Sequence, residues 1–149
     1  MVKTEITRES DGSAHVRIIG KIDEHFDGKE ILLATAGVRR IVLQMDAVRS
    51  ISSLGVRALE AFMSALVGRE VVLEEISAAM ANQVTMIPNL LGRATVQTAK
   101  LPFICPSCGS EETRSVPYVA DAASTHAPAC TSCGARMEFD GFSEEYLPH

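Results

Sequence analysis

The sequence predicts an α/β fold, a mixed sheet with helices packed on it, followed by a small four-cysteine unit. Three observations predict it. Short β-branched runs alternate with amphipathic stripes of helical period as far as residue 100, all four cysteines fall in two C-x-x-C pairs beyond it, and the excess negative charge lies in that same tail. Alternation of this kind marks strands interleaved with helices. With 46% hydrophobic residues in a chain of 149, there is enough apolar surface for a real core. The expected units are 1–100 and 101–149, with serine at Cys105 or Cys130 expected to unfold the second unit alone.

The elements follow in chain order. "TEITRES" and "AHVRIIG" flank the turn signal Asp11-Gly12 and read as a hairpin. In "DEHFDGKEILLATAG", Gly28, Ile31, Leu32 and Thr35 fall on one helical stripe, Asp27, Lys29 and Glu30 face away, and Gly37 is a stop. "RIVLQMD" (40–46) is apolar at its centre and reads as a buried strand. Val56, Leu59, Phe62, Met63 and Leu66 repeat at i, i+3, i+4 and make an amphipathic helix with one face against the sheet. "EVVLEEI" (70–76) is the next strand, and Met80, Val84, Ile87 and Leu91 form a third stripe broken near Pro88. "ATVQTAKLPFI" (94–104) is extended and runs into the first cysteine pair, so the expected order is ββαβαβαβ.

"FICPSCGS" and "PACTSCGAR" each contain C-x-x-C-G, with residues 109–129 between the pairs. Each spacing suits a tight turn whose amides point at the sulfurs, and Gly109 and Gly134 supply the positive φ such a turn needs. Two turns give four thiolates, Cys105, Cys108, Cys130 and Cys133, and a closed tetrahedral zinc site without an open position is structural rather than catalytic. Two disulfides or paired redox thiols are the rival readings. His126 lies between the pairs and reads as a surface residue, since four cysteines complete the site. The insert "SEETRSVPYVADAASTHAP" is long for a ribbon arm and suggests a mobile tip, while "RMEFDGF" reads as a final strand.

Charge and composition bear on function. Residues 1–100 are neutral overall, whereas the tail has Arg114 and Arg136 against seven acidic residues. Such a tail is a poor nucleic-acid site. The polar start "MVKTEITRESDGS" has no apolar centre, and no run of about 18 apolar residues occurs, so no membrane insertion and a cytoplasmic location are expected. His15, His25, His126 and His149 have no nearby nucleophile in a catalytic pattern, so no enzyme is expected.

"IVLQMDAVRSISSLGV" (41–56) resembles the signature of the STAS family, the sulfate transporter and anti-sigma factor antagonist domain. There, a strand of the type V-V-L-D-L-S-G-V leads through F-I-D-S-S-G-L into a helix. Val48 and Gly55 match, and the helix "VRALEAFMSAL" follows in place, the element order agreeing over roughly residues 3–100. The resemblance implies a STAS-like mixed sheet and a non-enzymatic interaction module. It departs at Gln44 and Ser52, which stand where the family has aspartates, and at Leu54, which occupies the usual phosphorylated serine. Ser53 remains the candidate phosphoacceptor, against the plainer reading that Ser52 and Ser53 cap a helix. The resemblance further implies a partner surface of Ser52, Ser53, Leu54 and Arg57, for an anti-sigma factor kinase or a regulatory complex. An accessory subunit of a membrane transporter or lipid-transfer system is the alternative, ahead of a thiol or zinc enzyme and a nucleic-acid binder. The sequence leaves the oligomeric state open.

Overall fold

A computed structural model describes residues 2–148. The hairpin forms first: β1 (Val2–Arg8) pairs antiparallel with β2 (Ala14–Ile22), and the Asp11 carboxylate accepts from the Ser13 amide at 2.9 Å to close the turn. Gly28 then caps α1 (Lys29–Ala34) at a φ of 70°, where a side chain would also strike the Phe62 ring. Thus Gly28 begins the helix instead of lying within its stripe. Ile31 and Thr35 from that stripe are fully buried.

β3 (Arg40–Met45) runs parallel to β2. After a kink at Asp46–Ala47 the chain forms β4 (Val48–Ile51), also parallel to β2 but beside its far end, at Gly20–Ile22. This strand adds one element to the expected order. The stripe from Val56 becomes α2 (Ser53–Ala65), followed by β5 (Glu70–Ile76), α3 (Ala78–Met86) and β6 (Thr95–Ile104). α3 stops two residues before Pro88, whose ring disfavours helical backbone at the preceding residue.

The sheet order is β1-β2-β3-β5-β6 and then β7 (Glu111–Pro117), with β4 beside β2 and β8 (Glu138–Phe139) beside β6. β2, β3, β5 and β6 are mutually parallel, whereas β1, β7 and β8 are antiparallel to their neighbours. Successive parallel strands advance in one direction, so right-handed crossovers put α1, α2 and α3 on one face. Ala14, Val16, Ile18 and Ile22 on β2, and Ile41, Leu43 and Met45 on β3, are fully buried there.

β6 is shared. β5 pairs along its residues 95–99, β7 along 98–104 and β8 at Phe103 and Ile104, so it crosses residue 100 without a break. The insert, long for a ribbon arm, contains β7 and a one-turn helix, α4 (Ala122–Thr125), whose Ala122 is fully buried. "RMEFDGF" supplies the two residues of β8 and the bridge from Arg136 to Ala129, with Met137 buried between them. A 3-10 turn at Ser143–Glu145 lies against α3, where Asn82 donates to the Glu145 carbonyl at 3.2 Å.

Candidate functional site

Two places concentrate the sequence's candidate residues. The first is the start of α2. Ser52 has extended backbone, and its hydroxyl accepts from the Gly55 amide at 3.0 Å, so it is the N-cap. Its own amide donates to the Ile22 carbonyl at 3.0 Å, which ties the loop to the end of β2. Gly55 packs so closely that an added Cβ would lie 2.2 Å from the Ile22 carbonyl oxygen. Ser52 is therefore occupied by the fold. Ser53, Leu54 and Arg57 are exposed, Leu54 by 53%, on the first turn of the helix and just beyond it.

At the kink before β4, Asp46 joins three strands. Its nearly buried carboxylate accepts from Gln44 Nε2 at 2.9 Å and Lys100 Nζ at 3.2 Å, with Arg17 Nε 3.7 Å away. Desolvation pushes this carboxyl up, but the hydrogen bonds from Gln44 and Lys100 and the charges of Lys100 and Arg17 outweigh it and hold it below the usual 3.8. Gln44, noted in the sequence as a departure from the family pattern, thus supports the neighbouring Asp46 carboxylate.

The second place is the cysteine cluster. Cys105 follows β6 directly, and Cys130 follows the residue that bridges to Arg136. The two turns repeat each other. In each, the first cysteine's amide donates at 2.8 Å to a carbonyl five residues on, Ser110 or Ala135, and the glycine's amide donates back to that cysteine's carbonyl at 2.8 Å. Gly109 and Gly134 have φ of 78° and 79°, a region that suits glycine. The sequence expectation for these turns holds.

The four Sγ atoms lie within 4.8 Å of one another, with Cys105 facing Cys133 at 3.5 Å and Cys108 facing Cys130 at 3.6 Å. Tetrahedral zinc thiolates at 2.3 Å would place sulfurs about 3.8 Å apart, so the donor set fits such an ion. A disulfide needs about 2.05 Å, and all four cysteines are free. Cys105 and Cys130 are buried, while Cys108 and Cys133 are exposed.

Without a cation, these thiols compete for charge. Hydrogen bonds from the Ser110 hydroxyl and amide hold Cys108 at about 6. The Ala135 amide favours a thiolate at Cys133, yet contact with Cys105, burial, and the other two thiols together push it up to about 12. A divalent ion held by all four sulfurs would ease this conflict, because its charge favours the thiolate form of each.

Glu112 braces the second turn, a role its spacing did not reveal. Its carboxylate accepts from the Thr131 hydroxyl at 2.7 Å and amide at 3.1 Å, and from Arg114 at 2.8 Å, while Arg114 also donates to the Ala129 carbonyl at 2.9 Å. Thr131 supports these contacts from between the paired cysteines. His126 lies on the surface beside Thr125, outside the sulfur cluster.

The described residues include no helix long and apolar enough to cross a membrane. Among curated proteins, none matches the chain closely enough to count as a relative. A family model for the STAS domain matches residues 3–90, more than half of the chain and ending before β6. It covers the capped α2 junction and leaves the cysteine unit outside, and the chain belongs to the STAS domain family.

Proposed function

We propose that the protein is a non-enzymatic interaction module, a regulatory scaffold of the anti-sigma factor antagonist kind. Its partner-binding surface is the start of α2, with an anti-sigma factor kinase or a regulatory complex as partner. The observation that carries this reading is the exposure of Ser53, Leu54 and Arg57 on a junction made rigid by the Ser52 cap and the Gly55 contact. Leu54 offers an apolar anchor where a phosphorylated serine would offer charge. Binding is accordingly independent of phosphate, although Ser53 remains an accessible hydroxyl. Pull-down from the native cell with wild-type and Leu54→Glu protein tests this. Capture of a regulatory protein by wild type, lost in the variant, supports it. Recovery of transporter subunits with no regulatory protein would favour an accessory-subunit role.

The cysteine unit, residues 101–149, is a structural zinc ribbon attached to a STAS-like unit of residues 1–100 through β6. Four thiolates on two glycine turns suit zinc, and a centre that depends on free thiols suits a reducing compartment such as the cytoplasm. Metal analysis of purified protein should find one zinc per chain and thiols shielded from alkylation. Rapid alkylation of all four cysteines in the native protein would defeat the zinc reading.

A further inference from the structure

We infer that the four-cysteine centre is also an oxidation site whose product is a crossed pair of disulfides, Cys105 with Cys133 and Cys108 with Cys130. This rests on the metal-centre reading above and adds a chemistry to it. The close sulfur contacts run between the two turns, at 3.5 and 3.6 Å, and each joins one buried sulfur to one exposed sulfur. Within the first turn, by contrast, the Cys105 sulfur receives the Cys108 amide at 3.5 Å, an arrangement that serves a thiolate. Closing a crossed pair to a disulfide takes about 1.5 Å of approach.

The oxidant class is a hydroperoxide, with hydrogen peroxide the simplest. Cys108 and Cys133 are the sulfurs it can reach. The Cys108 thiolate attacks one peroxide oxygen, the O–O bond breaks, and Cys108 becomes a sulfenic acid as hydroxide leaves. The Cys130 thiolate then attacks that sulfur, the S–S bond forms, the S–O bond breaks, and a second hydroxide leaves. Two thiolates give up two electrons, one peroxide accepts them, and two protons from solvent convert the hydroxides to water. A second peroxide converts Cys133 and Cys105 in the same way.

The first disulfide removes two of four ligands, so the ion departs. Both disulfides then span the two turns as the ion had, and the ends of β6 and β7 stay linked to the segment after Cys130. Oxidation therefore exchanges a metal clasp for a covalent one.

The test treats the full-length, metal-loaded protein with hydrogen peroxide and follows metal release with a zinc indicator alongside peptide mapping. Trypsin cuts after Lys100, Arg114 and Arg136, leaving Cys105 and Cys108 on one peptide and Cys130 and Cys133 on another. Crossed disulfides join the two peptides, and fragmentation between the paired cysteines assigns each partner. The expected result is one joined species, with metal lost in step with thiols. Disulfides within each turn, parallel pairing of Cys105 with Cys130, links between chains, or thiols that resist peroxide would overturn the inference. Protein that arrives without metal yet closes the crossed pairs would sink the zinc reading and leave this one standing.

Discussion

Gly55 shows how much one missing side chain can decide. Any Cβ there meets backbone, the Ile22 carbonyl, so relief requires moving α2 away from β2. Gly55→Ala should cost about 1–3 kcal/mol or more, as overpacking does, seen as a lower denaturation midpoint. Ser52→Ala should cost roughly 0.5–2 kcal/mol through the lost cap, whereas Leu54→Ala, at an exposed position, should leave the midpoint nearly unchanged. If Leu54→Ala fell as far as Gly55→Ala, the side chain would be structural and unsuited to docking. Glu112 makes the same point at the other site. Its carboxylate fixes Thr131 between Cys130 and Cys133, so on the zinc-ribbon proposal Glu112→Gln should weaken metal retention about 10- to 100-fold. Competition with a chelator measures this. Unaltered retention would mean that the second turn holds its shape unaided.

At the scale of elements, the strands and helices with their own periodicity were legible in the sequence. β5 coincides with "EVVLEEI", and α2 buries Val56, Leu59, Phe62 and Met63 from the stripe that announced it. β4 was not legible, because "VRSI" has no alternation of its own and is a strand only through the far end of β2. The strand in the insert was likewise missed, the insert reading only as a long ribbon arm: β7 pairs with β6, a contact made across the first cysteine turn that no local pattern encodes. Both cysteine turns were legible because spacing and glycine placement are local. Their brace was not, since Glu112 reaches Thr131 only after β7 has folded. The link between β6 and the kink before β4 through Lys100 and Asp46 predicts an acid response. Asp46 is held below its ordinary 3.8, so its stabilising contribution is complete above that value and is lost as pH falls through the lowered one. Stability measured from about pH 6 down to pH 2 should show Asp46→Asn less stable than wild type at the top, with the gap shrinking toward acid. A gap constant across that range would assign the loss to packing.

At the scale of the molecule, the charge partition and paired cysteines suggest two separately folding units, and we propose that they nonetheless unfold together, because β6 runs from one into the other. Ala99, Leu101 and Phe103 on that strand, with Cys105 directly after it, are buried in one continuous apolar cluster. That cluster also takes in Leu73 and Ile76 from β5 and Met137 and Leu147 from the tail. On the zinc-ribbon proposal, loss of the metal would free the end of a strand whose other end pairs with β5. Removing the ion with a chelator under reducing conditions should lower stability across the whole chain, because an ion that binds only the folded state stabilises all that unfolds with it. Far-ultraviolet circular dichroism, which follows the helices, and alkylation of Cys105 and Cys130, which follows the tail, should then shift together to one lower midpoint. Cysteine alkylation that runs ahead while the helical signal keeps its original midpoint would show that the tail opens alone and that β6 frays at Cys105 without disturbing the sheet.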